Sequence, residues 1–340
     1  MNMNKLPDWS NLSFGYVKTN SLVSCLYSNG KWGTLQSSSD DNITISALSA
    51  ALHYGLQVFE GLKAYRGVDG VIRLFRPDEN AKRLQRSAAY LGMTAPDTDL
   101  FMKAVDMAVR ENLEFIPPYE SGATLYIRPL LLGVGPQMGV KPSKDYLFLV
   151  AVSPVGNYNG GTGAIKVLID RDHDRAAPLG TGCFKVGGNY AAAMMSGAMA
   201  KKKGYASVLY LDPKDKKWID ECGTSNFFAI KDNKYITPYS LSILPSITNK
   251  SIMEIATSFG MEVQQRAIDV KELESFDEVG SCGTAVVICP IYQIDDPTEK
   301  HSYHYPDAGG PGTVSKRLYD ALYNIQFGLI PDSFGWTKAL

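Results

Sequence analysis

An α+β fold in two domains is what the sequence predicts, on three observations. The chain has 340 residues, and a domain usually takes roughly 150 to 200 of them. Strand-like and helix-like stretches are mixed, without the regular strand–helix alternation of a doubly wound sheet. Midway, Val155-Gly156-Asn157-Tyr158-Asn159-Gly160-Gly161-Thr162-Gly163 is rich in Gly and Asn between two strand-like runs, the composition of a linker. The domain boundary is placed there, with domains over 1–156 and 165–340 and a linker over 157–164.

Each element has a local reason. Ser21 to Tyr27 and Trp32 to Gln36 flank Ser28-Asn29-Gly30-Lys31, and Asn-Gly signals a hairpin. Leu62 to Tyr65 and Val71 to Phe75 form a second hairpin around Arg66 to Gly70. Pro77-Asp78-Glu79 opens a helix with Ala81, Leu84, Ala88 and Leu91 on one face. Asp97 caps another, through Leu113, which Pro117-Pro118 stops. Thr124 to Leu132 and Asp145 to Val152 read as strands.

Beyond the linker, strands are expected over Ile165 to Ile169, Ala206 to Leu211, Asn226 to Ile230, Lys234 to Thr237, Glu262 to Ile268 and Ala285 to Cys289. Helices are expected over Tyr190 to Lys203, Asn249 to Phe259 and Val314 to Gln326.

Composition excludes several functions. With 34 Lys plus Arg against 35 Asp plus Glu, the net charge of -1 argues against a dedicated nucleic-acid or membrane-surface protein. Five scattered cysteines without a C-x-x-C pair fit a reduced compartment. The first thirty residues hold no apolar signal segment, and no apolar run is long enough to span a bilayer; the expectation is a cytoplasmic protein. Gly133-Val134-Gly135-Pro136 and Gly160-Gly161-Thr162-Gly163 do not give the dinucleotide fingerprint. His301-Ser302-Tyr303-His304 and Asp172-His173-Asp174 read as surface loops, and no metal is expected.

Chemistry centres on Phe184-Lys185-Val186-Gly187-Gly188-Asn189-Tyr190, before an alanine-rich apolar run. A lysine beside apolar groups loses its proton readily, and a neutral amine attacks carbonyls. Taken alone, Gly-Gly-Asn is first of all a turn and the lysine a surface charge. Glu221, in Glu221-Cys222-Gly223-Thr224-Ser225-Asn226, has two readings: a capping or surface acid, or a buried partner for a charged ring nitrogen. Leu244-Pro245-Ser246-Ile247-Thr248 precedes a helix, where N–H groups either seat a phosphate or are simply capped. Ser281-Cys282-Gly283-Thr284-Ala285 is a tight turn whose N–H groups can reach an anion.

These stretches together resemble the branched-chain amino-acid aminotransferases, pyridoxal-phosphate enzymes of fold type IV. The likeness runs from about Phe14 to Trp336 and is most specific in Leu52 to Tyr65, Arg73 to Pro77, Leu125 to Pro129, Lys185 to Tyr190 and Glu221 to Asn226. The resemblance implies a small N-terminal α/β domain and a larger C-terminal domain with a β-barrel-like core. It implies that Lys185 holds the aldehyde of pyridoxal 5'-phosphate and moves the substrate proton, that Glu221 pairs with the ring nitrogen, and that Tyr190 lies near the ring oxygen. Arg83, Ile247 and Thr248 match the phosphate seat, and Thr284 also belongs to the cofactor site.

For the substrate, Thr284 and Ala285 match the turn that receives the α-carboxylate. Tyr16, Tyr54, Phe59, Tyr126 and Tyr158 match an apolar side-chain pocket, with Arg128 the candidate for a distal carboxylate. The implied reaction moves the amino group of L-leucine, L-isoleucine or L-valine to 2-oxoglutarate, giving L-glutamate, in a homodimer or a higher oligomer of dimers. A D-amino-acid aminotransferase or an aminodeoxychorismate lyase is the rival within the fold. Two departures stand out. Ser246 replaces a usual glycine, and would be strained if that position required a positive φ. Val286 to Cys289 keeps only the second cysteine of a redox pair found in some members.

Overall fold

The computed structural model describes residues 6–156, 163–306 and 312–340. The chain divides into two compact units: the first takes residues up to 157, then 184–187 and 325–340, and the second takes 158–183 and 188–324. The expected linker lies mostly outside the described residues, as does Tyr158.

The first unit is built on a sheet of nine strands among the described residues. Its middle is the long antiparallel pair Thr124–Gly133 and Tyr146–Val155. Leu62–Arg66 and Ile72–Phe75 continue it on one side, and the C-terminal strand Thr337–Ala339 closes that edge. On the other side Leu22–Ser28 turns into Lys31–Trp32 through Asn29 and Gly30, both at positive φ (51° and 79°). Left-handed conformation at both positions is what Asn-Gly supplies at low cost.

The helices Pro77–Tyr90 and Thr98–Arg110 supply the other layer. Asp97 caps the second by accepting from the Leu100 N–H at 2.8 Å. Between sheet and helices lies a core of Leu84, Ala88, Phe101, Val105, Leu125, Ile127, Leu131 and Phe148.

The second unit centres on a closed barrel. Ile219–Cys222, Ser207–Leu211, Ile165–Asp170, Val287–Asp296, Glu278–Gly283 and Asn226–Lys231 pair in that order, and Ile219–Cys222 pairs again with Asn226–Lys231. Closure removes the open edges. Val167, Ile169, Leu209, Phe227, Ala229, Val279 and Ile291 are buried in its core. Ile165–Asp170 and Ser207–Leu211 are parallel, and the chain between them includes the helix Gly187–Lys202.

Several local expectations need correction. Gly187, Gly188 and Asn189 are the first turn of a helix, not a turn of their own. Ala285 is not in a strand: the pairing of Gly283 with Val287 leaves 284–286 as the connecting turn.

Candidate active site

In the first unit one polar stripe organises the site. Asn80, Arg83 and Ser87 stand at i, i+3 and i+7 on the Pro77–Tyr90 helix, a spacing that puts them on one face, and all three are buried. Arg83 donates from Nε to Glu60 Oε1 at 2.7 Å and from Nη2 to Oε2 at 2.8 Å. Asn80 Nδ2 donates to the same Oε2 at 2.7 Å, and Glu60 itself is fully buried. One helical turn on, the Ser87 hydroxyl accepts the Lys185 N–H at 3.0 Å. Beyond that, Tyr90 stacks on Phe184 with centroids 4.0 Å apart.

The Lys185 segment is held along its other edge by Gln57–Phe59. The Phe59 N–H donates to the Lys185 carbonyl at 3.1 Å, and Val186 bridges to Val58. A Cβ at Gly187 would fall 2.5 Å from Gln57 Nε2, so the absence of a side chain permits the approach. Lys185 Nζ sits 4.7 Å from the centre of the Phe59 ring, and the Arg128 guanidinium 4.9 Å from it. Arg128 Nη2 donates to Tyr126 Oη at 3.1 Å. Burial, and after it the Arg83 charge, pull the Lys185 pKa down to about 8, against an opposing contribution from Glu60.

In the second unit Glu221 is buried in the strand Ile219–Cys222. It forms an ion pair with Arg175, Nη2 lying 2.8 Å from Oε1, and accepts from Asn226 Nδ2 at 3.1 Å and the Leu244 N–H at 3.3 Å. Arg175 also donates to the Gly182 carbonyl at 3.1 Å and to that of Ser242, while its buried Nε has no protein partner. A carboxylate held by a guanidinium and two N–H donors is favoured in its charged form.

The helix Ile247–Ser258 starts close by in sequence. Ser246 has φ −80° and its hydroxyl accepts the Asn249 N–H at 3.2 Å. The position does not require a positive φ, so Ser246 is an ordinary N-cap and carries no strain. Among the described residues the N–H groups of Ile247 and Thr248 donate to no protein group, the property of a helix start ready for an anion. At the start of the strand after the 284–286 turn, Val287 has φ +59°, unusual for a β-branched residue. Tyr190, Thr224, Ser225, Ser281 and Val286 help line a cavity of about 310 Å³ in this unit.

The structure therefore groups Lys185, Arg83, Phe59, Tyr126 and Arg128 in the first unit, and Glu221 with the chain at Leu244 in the second. Tyr16 and Tyr54 are not gathered with them: they are 72% and 45% exposed. Tyr16 bonds to Asp41, which pushes its hydroxyl up to about 12, and Tyr54 bonds to the Met138 carbonyl. Glu60, Asn80, Ser87 and Arg175 are the participants that sequence reasoning missed. Asn80 and Ser87 had a visible signal, in that they recur with Arg83 at helical spacing beside the apolar face; Glu60 and Arg175 had none.

Each unit by itself fits part of pyridoxal phosphate: in the first, an amine of lowered basicity suits its aldehyde; in the second, a buried carboxylate suits its ring nitrogen and helix N–H groups suit its phosphate. Comparison with known proteins agrees. Residues 57–294 match the family described as amino-transferase class IV. The branched-chain-amino-acid aminotransferase of Haemophilus influenzae is 46% identical over 336 residues, covering 97% of both chains. That of Helicobacter pylori is 45% identical over 94% of both, and a chloroplastic one from Arabidopsis thaliana is 43% identical over 98% of this chain and 80% of its own. Among solved structures, the Escherichia coli branched-chain amino acid aminotransferase superposes with a TM-score of 0.79 at 28% identity, covering 94% of this chain and 99% of that one.

Proposed function

The chain belongs to the class IV amino-transferases, and within that family we propose that it transfers the amino group of L-leucine, L-isoleucine or L-valine to 2-oxoglutarate. The cofactor is pyridoxal 5'-phosphate. The observation that carries the reading is the Lys185 amine, packed against Phe59 with its pKa lowered to about 8. At pH 7 such an amine is neutral about 300-fold more often than an ordinary lysine.

Pyridoxal phosphate, when bound, supplies the carbonyl that takes up the amine and a ring that withdraws electrons from the α-carbon. Lys185 would hold the cofactor's aldehyde carbon, and its amine would carry the proton from the substrate's α-carbon. Glu221, kept ionised by Arg175, holds a proton on the ring nitrogen. Arg83, with the Ile247 and Thr248 N–H groups and the Thr248 hydroxyl, takes the phosphate. Tyr190 takes the ring oxygen, and Thr284 adds a contact to the cofactor.

The turn at Thr284 and Ala285 receives the α-carboxylate through its N–H groups. Phe59 and Tyr126, with Tyr16 and Tyr54, enclose the branched side chain, and Arg128 receives the distal carboxylate of 2-oxoglutarate. Tyr16 and Tyr54 join this pocket in a homodimer, which the exposed Met194, Met195 and Met199 on the helix Gly187–Lys202 support as an apolar face for a second copy. The cytoplasm is the proposed location; among the described residues no helix is long and apolar enough to cross a membrane.

Absorbance of the bound cofactor tests the reading. L-Leucine should convert it to the amine form and 2-oxoglutarate should restore it, while Lys185→Ala should fail to cycle. Discharge by D-amino acids alone would replace the substrate reading with that of a D-amino-acid aminotransferase. A protein that takes up no pyridoxal phosphate would end it.

A further inference from the structure

We propose that Glu60 is a positioning residue for cofactor phosphate: it clamps the Arg83 guanidinium side-on, so that the phosphate meets an arginine already fixed in direction. The proposal rests on the reading of Arg83 as the phosphate arginine.

The clamp is specific in geometry. Both bonds from Arg83, at 2.7 and 2.8 Å, come from the Nε–Nη2 edge, and a two-point bond to a planar group fixes its plane as well as its distance. The Nη1 end of the guanidinium thereby has a set direction. The carboxylate is fixed in turn, because Oε2 also accepts from Asn80 Nδ2 at 2.7 Å and from the Gly61 N–H at 3.2 Å. The Glu60 N–H donates to the Pro129 carbonyl at 2.8 Å, which ties its backbone to the sheet. Arginine otherwise carries several rotatable bonds whose freedom a ligand must remove on binding.

Charge gives a second reason for an acid here. The groups acting on Lys185 include Arg83 and Arg128, both cations, and Glu60 is the anion that opposes them. Without a carboxylate, three cations would face one another until a phosphate arrived. A buried acid–arginine pair adds little stability over apolar side chains of equal volume; a donor held ready for its ligand gains affinity.

Comparing pyridoxal 5'-phosphate with pyridoxal, which lacks the phosphate, isolates this contact. Full-length protein freed of cofactor is titrated with each, for wild type, Glu60→Gln, Arg83→Met and the double variant. Glu60→Gln should weaken pyridoxal phosphate about tenfold or more relative to pyridoxal, equivalent to about 1.4 kcal/mol, on top of whatever common shift the lost charge near Lys185 gives both ligands. In the Arg83→Met background the same substitution should add almost nothing, because Glu60 acts through Arg83.

Equal weakening of both ligands, or a full additive loss in the double variant, would show a general structural role and overturn the proposal. If Glu60→Gln does not fold, Glu60→Asp, which keeps the charge but withdraws it by one methylene, should still weaken the phosphorylated ligand selectively; if it does not, the proposal fails. An Arg83→Met protein that binds both ligands as wild type does would instead remove the assignment of Arg83, and the proposal with it.

Discussion

Each unit buries a glutamate against an arginine, yet the two pairs are built differently. Glu60 and Arg83 meet edge to edge, with two bonds between them and Asn80 completing the set. Glu221 and Arg175 form an ion pair in which Nη2 lies 2.8 Å from the carboxylate, and among the described residues the buried Nε of Arg175 has no hydrogen-bond partner. On the roles proposed above, the first carboxylate serves the phosphate arginine and the second cation serves the acid at the ring nitrogen: a side-on clamp fixes a plane, whereas a counter-charge needs only to stay close.

That contrast is broken most severely at Arg175. Arg175→Met leaves Glu221 buried without its counter-charge, and losing one partner of a buried pair costs about 3 to 5 kcal/mol. The variant should unfold at a clearly lower temperature and hold cofactor more weakly; an unchanged melting curve would show that Asn226 and the Leu244 N–H suffice.

A smaller effect sharpens the cation side. In protein freed of cofactor, acylation of Lys185 followed by mass spectrometry should rise with a midpoint near pH 8, where an ordinary lysine gives 10.5. The folded state disfavours the protonated amine, so between those pH values the unfolded chain binds more protons here. This group's contribution to stability accordingly improves as pH rises across that interval and is at its least favourable below it. A midpoint near 10.5 would mean that Phe59 and Arg83 leave the amine unperturbed.

The smallest effect concerns Ser246. Since its φ is −80° and its hydroxyl caps the helix, Ser246→Gly should cost a few tenths of a kcal/mol and Ser246→Ala about 1 kcal/mol. Neither should improve cofactor retention, and a large gain for the glycine variant would overturn the account of this cap.

Much of this was legible in the residues because the signals are local. Asn29-Gly30 states its turn, Pro77-Asp78-Glu79 its helix start, and Ser246 its cap. Lys185 stood out by apolar company and glycine neighbours, both adjacent in sequence. The rest depends on distance along the chain. Arg175 lies 46 residues before Glu221 and follows Asp172-His173-Asp174, a polar run with the composition of a surface loop; only folding of the second unit sets it beside the acid. The Gly-Gly-Asn turn was misjudged for a related reason: the intrinsic preference of glycine for turns is worth about 1 kcal/mol per residue, which tertiary packing overrides. Glu60 reads in sequence as one acid in a strand-rich stretch, and nothing nearby announces four donors converging on it.

Residues 184–187 belong to the first unit although 183 and 188 on either side belong to the second. Lys185 is thus carried on a four-residue piece of one unit set into the sequence of the other. No single cut in the gene separates the units while leaving Lys185 with Arg83 and Ser87. Recombination between relatives that exchanges a contiguous half must therefore bring along a matching 184–187, or the lysine will arrive without the stripe that holds it. A chimera with a crossover near residue 157 should therefore keep the bond from the Lys185 N–H to Ser87 only when its 184–187 meets the same helix face.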